Sequence, residues 1–374
     1  MPRFSRTLGL AERLRVLVAG WLNSPHVRAW AELVAAAGHD VQIAGRIAPG
    51  WPELELPVPA HPLPAHWPPP LRGFAMSRAL GRLAREVEPD LVHAHYLPEY
   101  GWMAARERLR PLICSAWGSD VFALNAVNRP RAKRALDAAD LVFADSEHLA
   151  RATRTLARRD VRVEVVRWGL DLEAFSPGDR AAARQALGIS VAGPLVASVR
   201  GLSPVYNPEL VLEVFARVRR SNPDAHLLLK HPLAETPRFV VRAIERLALE
   251  DAVTILGNVA AEQLPDVYRA ADVVLSIAST DSSPRSVWEA LACGRPVVVS
   301  DLPWARDELV DGAALLVPLE AEQVAGAIER VLGDPDLAAR LGEEGRALAV
   351  AELDRRSCAA RVDVLYRSVA GARA

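Results

Sequence analysis

The chain has 374 residues, 51% of them apolar and 24% charged. That excludes a disordered or low-complexity chain and exceeds what one ordinary core holds, so two domains are predicted. The net charge of −1 gives no basis for a nucleic-acid partner, although residues 1–173 carry 23 Lys and Arg against 19 Asp and Glu and the remainder 22 against 27; an anionic partner or membrane surface would be met by the first half.

The N-terminus, MPRFSRTLGLAERLRVLVAG, carries charges where a signal peptide needs an apolar core. No apolar run reaches the roughly 18–20 residues of a membrane span. The cysteines, Cys114, Cys293 and Cys358, are odd in number and lack metal-type spacing. A cytoplasmic protein in a reducing compartment is expected, with peripheral contact at the inner membrane face left open.

RVLVAG (15–20) reads as a buried strand ending at Gly20, and HVRAWAELVAAAG (26–38) as a helix stopped by Gly38. DVQIAG (40–45) is the next strand. Residues 49–70, PGWPELELPVPAHPLPAHWPPP, are too proline-rich for a helix or a central strand. They predict a long loop, either touching an acceptor or membrane or forming a stiff surface excursion. PDLVHAHY (89–96), RPLICSAWG (110–118), ADLVFADS (139–146) and RVEVVRWG (162–169) continue as strands separated by helices. This alternation predicts a parallel sheet covered by helices.

A second series starts near 190. GPLVASVRG (193–201), AHLLLKH (225–231), AVTILGN (252–258), DVVLSIAS (272–279), PVVVSD (296–301) and ALLVP (314–318) read as strands. PELVLEVFARVRRSNP (208–223), EQLPDVYRAA (262–271) and EQVAGAIERVL (322–332) read as helices between them. The chain is thus α/β, with two Rossmann-like domains and a hinge at GLDLEAFSPGD (169–179). In the tail, Ala359, Val362, Leu365 and Val369 mark one helix face, packed on either domain.

The stretch TDSSPRSVWEALACG (280–294) places Asp281 and Glu289 eight residues apart. With DVVLSIAS as a strand, Ser283 suits a helix N-cap, Pro284 its first position and Gly294 its end. The helix start then opens at the carboxyl edge of a parallel sheet, where such sheets bind ligands. Backbone N–H groups of Arg285 and Ser286 could hold a phosphate there, and the two carboxylates could accept from vicinal hydroxyls on either side. Acids near a helix start also complement its dipole without any ligand.

This stretch resembles the acid-x7-acid signature of glycosyltransferase family 4, a retaining family with the GT-B fold. The half from Glu289 to Val298, EALACGRPVV, matches closely. ADLVFADSEHL (139–149), RWGLDLEAFSP (167–177), RGLSPVYNPELVLEVF (200–215) and ILGNVAAEQLPDVYRAADVVLSIA (255–278) extend the likeness along the chain. It implies two Rossmann-like domains facing each other across a cleft: 1–173 on the acceptor side, 174–352 holding the nucleotide-sugar donor, and 353–374 a helix packing back on the first. It also implies that Asp281 meets donor-sugar hydroxyls and Glu289 the ribose. The backbone near Pro284, Arg285 and Ser286 would meet sugar and diphosphate, Arg200 the donor phosphate, Asn258 and Val259 the base, and Gly20 the donor or acceptor.

Three departures stand out. Tyr206 and Asn207 replace a frequent Lys-Gly pair, so Lys230 or Arg285 is the candidate second cation; each could equally be a surface or packing residue. Trp117-Gly118-Ser119-Asp120 replaces His-Gly-x-Asp, so Trp117 offers an apolar wall but no proton transfer. Trp117, Asp120 and His95 are the acceptor-side candidates, His95 with a structural role as its alternative. Asp281 is one methylene shorter than the usual glutamate. The implied activity is metal-independent, retaining transfer of a hexose-type sugar from a nucleotide-diphosphate sugar to a hydroxyl acceptor in polysaccharide or glycolipid synthesis, with no cofactor. The alternatives are a non-catalytic sugar-nucleotide-binding or regulatory protein, then a GT-B hydrolase or epimerase. A dehydrogenase comes last, because GWLNSP is not G-x-G-x-x-G.

Overall fold

The computed structural model describes residues 13–49, 55–68, 71–231, 236–309 and 312–371. Two compact units emerge: unit 1, Met1–Gly169 with Arg355–Ala374, and unit 2, Leu170–Asp354. Among the described residues no helix is long and apolar enough to cross a membrane.

Unit 1 is built on β1 (Arg15–Ala19), β2 (Asp40–Gly45), β3 (Ala60–Pro62), β4 (Leu91–His95), β5 (Leu112–Ser115), β6 (Leu141–Ala144) and β7 (Val163–Val165). The order across the sheet is β3-β2-β1-β4-β5-β6-β7, with every pairing parallel. Successive strand residues face opposite ways, and both faces are apolar. Leu17, Ala19, Val92, Ala94 and Cys114 pack with Met76, Leu80 and Leu136 on one face. Val16, Val18, Ile43, Ile113 and Phe143 pack with Val27, Trp30, Val34 and the tail residues Val362, Leu365 and Tyr366 on the other. All four predicted apolar positions of the tail helix, Arg355–Gly371, are buried. Tyr366 adds what the spacing did not reveal: its hydroxyl accepts from Trp30 Nε1 at 2.9 Å and hydrogen-bonds His93 Nδ1 at 2.6 Å.

The proline-rich segment departs from the expected loop. Residues 60–62 form β3, paired with Ile43–Gly45. Proline is tolerated there because β3 is an edge strand, where a missing N–H faces no partner. Residues 50–54 and 69–70 of that segment lie outside the described residues.

Unit 2 repeats the plan with β8 (Leu195–Ser198), β9 (His226–Lys230), β10 (Val253–Leu256), β11 (Val273–Ser276), β12 (Val297–Ser300) and β13 (Leu315–Val317). Their order is β10-β9-β8-β11-β12-β13, again parallel throughout. Val196, Leu227, Leu229, Val273 and Leu275 bury against Val211, Leu212, Phe215 and Ile328. The predicted helix at 262–271 is a 3₁₀ turn, Ala261–Gln263, running into Leu264–Arg269. In both sheets the strand order reverses once, between β1 and β4 and between β8 and β11. A parallel sheet leaves a ligand crevice at the carboxyl ends of such a strand pair.

Candidate active site

In unit 2 the reversal point is flanked by the loop after β8, which carries Arg200, and the loop after β11, which carries Asp281. The second loop is fixed from several sides. Ala278 N donates to Ser300 Oγ at 2.6 Å, and Ser279 N to Val205 O at 2.9 Å. Ser283 Oγ accepts from Trp288 Nε1 at 2.8 Å and donates to Glu308 Oε2 at 2.9 Å. This corrects the expected cap. The helix spans Arg285–Ala292, Pro284 occupies the N-cap position in an extended conformation, and Ser283 is spent on anchoring the loop. Pro284 has no N–H to offer. The amides of Arg285 and Ser286 precede the first turn bond, Val287 N to Pro284 O. Gly294 ends the helix with φ at +65°, the left-handed position expected of it.

Arg200 stands at this helix start. Its Nη1 donates to Ser286 Oγ at 3.0 Å and its Nη2 to Asp281 Oδ2 at 2.5 Å. The Tyr206 ring lies 4.3 Å from the guanidinium carbon. Arg200 Nε is buried without a partner. Burial pushes the Asp281 carboxyl above its ordinary range, and Arg200 opposes that shift.

Glu289 is 4% exposed. Oε2 accepts from Tyr268 Oη at 2.6 Å and Oε1 from Arg285 Nε at 2.7 Å. Tyr268 was not among the sequence candidates; its place in DVYRAAD gave only a buried-helix signal. Burial, reinforced by Glu289, raises its hydroxyl well above the ordinary value. Lys230 ends β9 half-buried; desolvation lowers its pKa, and Glu289 pulls the other way. Neither candidate second cation is therefore isolated: Arg285 is paired with Glu289, and Lys230 is coupled to it. Asn258, exposed, and Val259, half-buried, follow β10 at the same carboxyl edge.

The reversal point of unit 1 holds different chemistry. Gly20 follows β1; a Cβ there would lie 2.6 Å from Val27 Cγ2, so the glycine lets the strand end meet the helix Pro25–Ala36. His95 ends β4 and is 2% exposed. It lines a cavity of about 90 Å³ with His26, Trp30, Trp117, Phe143 and Trp168. Trp117 Nε1 donates to His95 Nδ1 at 3.3 Å, which leaves the proton of the neutral imidazole on Nε2. That Nε2 and Trp168 Nε1 are buried without partners. Burial lowers the His95 pKa to about 3, and nearby His26 adds to the shift, so at neutral pH the ring is a hydrogen-bond donor and a poor base. Asp120 does not line the cavity. It is fully buried, its Oδ2 accepting from Leu97 N at 2.8 Å and its Oδ1 from Trp117 N at 2.7 Å. It fastens the loop after β5 to the π-helical turn Tyr96–Gly101. Among the described residues no group of three His, Cys, Asp or Glu is placed to hold a metal ion.

Residues 179–348 match the family model of glycosyl transferases group 1, and residues 15–146 that of the glycosyl transferase 4-like group. The D-inositol 3-phosphate glycosyltransferase of Mycolicibacterium vanbaalenii is 34% identical over 249 residues, 60% of this chain and 55% of that protein. The one from Saccharomonospora viridis is 32% identical over 309 residues, 76% of this chain and 71% of that protein. The match thus spans little more than half the length of the first relative. Sucrose-phosphate synthase from Thermosynechococcus elongatus superposes with a TM-score of 0.83 at 23% identity, covering 96% of this chain and 100% of that one. Anabaena HepE in complex with UDP-glucose gives 0.80 at 20% identity, covering 95% and 100%. Sequence and fold agree: the chain has the GT-B fold of two Rossmann-like units and belongs to glycosyltransferase family 4, the group 1 glycosyl transferases.

Proposed function

We propose that the chain is a retaining glycosyltransferase that moves a sugar from a nucleotide-diphosphate donor to a hydroxyl acceptor. The observation that carries this reading is the meeting of Arg200, Asp281 and Ser286 at one helix start, on the reversal point of a parallel sheet. A diphosphate seated there would take Arg200 and the amides of Arg285 and Ser286, which meet the charge that grows as the glycosidic bond breaks. The proposal assigns that charge to these groups, with no metal step. Glu289, held by Tyr268, would take the ribose hydroxyls and Asp281 those of the sugar. The related HepE structure contains UDP-glucose, which makes that compound the first donor to try.

Unit 1 would carry the acceptor side. Its cavity is lined by ring side chains, among them His95 and Trp168, whose Nε2 and Nε1 are without partners, a set suited to a hydroxylated ring. It offers no ready base: His95 is held neutral and Trp117 carries no transferable proton. This supports a front-face reaction in which the donor phosphate takes the acceptor proton. Inositol phosphates are the acceptors to try first, after the D-inositol 3-phosphate glycosyltransferase relatives, with roles in surface polysaccharide or glycolipid synthesis following from the acceptor found.

A second reading has one observation behind it. Both acids are already paired with arginines of their own unit, Asp281 with Arg200 and Glu289 with Arg285, as would suit a protein that binds sugar nucleotides without turning them over. Thermal melting with UDP-, GDP- and ADP-sugars, followed by a transfer assay, separates the two. A true donor at 100 times its Kd should add about 2.7 kcal/mol of stability. Glu289→Ala and Arg200→Ala should each lower turnover by orders of magnitude. Stabilisation without turnover supports the binding protein; wild-type turnover in both variants removes the proposed site.

A further inference from the structure

We infer that unit 1 carries a docking face for an anionic phospholipid bilayer, built from the helices Leu71–Val87 and Asn128–Ala138. It deepens the acceptor-side reading of unit 1 but rests on residues outside both reversal points, and its test reads no sugar transfer.

From Leu71 to Arg85 the first helix carries four arginines and no acid. Its buried side is Met76, Ser77, Leu80, Gly81 and Ala84. Leu71, Phe74, Arg78, Arg82 and Arg85 are exposed. Their spacing of three or four puts them on one outward stripe, apolar at its start and basic along the rest. Residues 124–134, LNAVNRPRAKR, likewise carry four cations and no acid. Val127, 62% exposed, immediately precedes the second helix.

The two elements share a surface. Arg72, Gly73, Trp102, Val127 and Arg131 line one depression of about 330 Å³. The Phe74 and Trp102 rings lie 5.7 Å apart. Arg72 Nε donates to Trp67 O at 3.0 Å, which brings the exposed Trp67 to the same edge. Leu71, Phe74, Val127 and Trp67 therefore form an apolar tip within a field of arginines. Two neighbouring acids are engaged, Glu99 with Arg46 at 2.8 Å and Glu107 with Ser77 Oγ at 2.8 Å, while Glu86, exposed in the last turn of the first helix, offsets one of its four arginines.

This pattern selects among anionic surfaces. A single nucleic-acid strand would use the cations but needs ring faces for its bases, and a duplex would use the cations alone. Here Arg106 covers Phe74 at 4.5 Å and Arg131 covers Trp102 at 4.7 Å. Exposed Leu71 and Val127 gain nothing from a phosphate backbone. A bilayer uses both halves, with apolar tips at the acyl boundary and guanidinium groups among lipid phosphates.

The test is flotation of the full chain with vesicles of phosphatidylcholine alone and of phosphatidylcholine mixed with phosphatidylglycerol. Binding should be confined to the mixed vesicles and weaken with added salt. Arg78→Glu with Arg82→Glu should reduce it more than tenfold, and Leu71→Ser with Val127→Ser severalfold. The same charge reversal on exposed Arg217 and Arg242 of unit 2 should leave it unchanged. All six sites are on the surface, and melting curves check that the variants fold. No binding, equal binding to neutral vesicles, or binding unaffected by the unit 1 variants would overturn the assignment. Tighter binding to a duplex oligonucleotide than to mixed vesicles would overturn it in favour of nucleic acid.

Discussion

The two units repeat one topology, yet their reversal points carry opposite chemistry. In unit 2 the loops after β8 and β11 bring guanidinium against carboxylate, Arg200 on Asp281, with Arg285 on Glu289 one turn further. In unit 1 the corresponding loops, after β1 and β4, bring rings together: Trp21 lies 4.9 Å from Tyr96, and Trp117, from the neighbouring loop after β5, lies 5.5 Å from Trp21 and 5.8 Å from His95. The parallel sheet fixes where a ligand can sit, and the loop residues fix what kind. Charge suits phosphate; ring faces and neutral N–H donors suit a hydroxylated ring.

The sharpest way to break this contrast is to remove one member from each side. Arg200→Ala should abolish the stabilisation by a nucleotide sugar and cost about 3–4 kcal/mol of transition-state stabilisation, or 10²- to 10³-fold in turnover. Trp117→Ala should leave the donor-induced melting shift intact while transfer falls. If Trp117→Ala erased the donor shift, or Arg200→Ala preserved it, the division of labour drawn here would be reversed.

A smaller effect follows from the neutral histidine. His95 titrates near 3 when folded and near 6.5 when unfolded. Between those values the unfolded chain binds the extra proton, so this contribution is present above about pH 6.5 and lost on acidification, at up to about 1.4 kcal/mol per pH unit. Asp120 acts in the other direction. Burial raises its pKa to about 6, so its contribution declines as pH rises from about 4 to about 6. Denaturant unfolding at about pH 5 and about pH 7 should show His95→Gln flattening the acid-side loss and Asp120→Asn steepening it. An unchanged slope in both variants would mean the two groups are solvated, and the dry ring cluster of unit 1 would have to be abandoned.

The strands were legible because parallel strands are buried on both faces and so read as unbroken apolar runs, as in LVHAH and VVLS. The chain's second switch loop was legible too, since Gly294 and Pro296 leave few ways to end a helix. What was hidden is pairing. Ser283 has the right chemistry and place for a cap, but Trp288 and Glu308 claim its hydroxyl. Tyr268 and Tyr366 lie inside predicted helices without being singled out by them; only the folded chain shows which acid or histidine each hydroxyl meets. Residues 60–62 are a strand because β2 leaves an open edge, a fact their own prolines argue against. Asp120 was visible as an acid in a loop, whereas its two backbone N–H partners come from segments 20 residues apart in the fold's loops and cannot be read from spacing.

The mildest test concerns Tyr206, which with Asn207 stands where the family resemblance leads one to expect Lys-Gly. Its ring covers the guanidinium of Arg200 while Asp281 and Ser286 take the two Nη groups. Tyr206 would then orient Arg200 rather than add a second positive charge. A cation–π contact of this kind contributes about 0.5–2 kcal/mol. Tyr206→Phe, which keeps the ring, should stay near wild-type turnover. Tyr206→Leu should lose about two- to thirtyfold in kcat/KM, the range that contact energy implies. Tyr206→Lys separates the two roles. If orientation is what Arg200 needs, a like charge beside it lowers activity further than leucine does. If the donor phosphate lacks a cation, the lysine raises donor affinity, and the ring is a substitute for charge rather than a support for it.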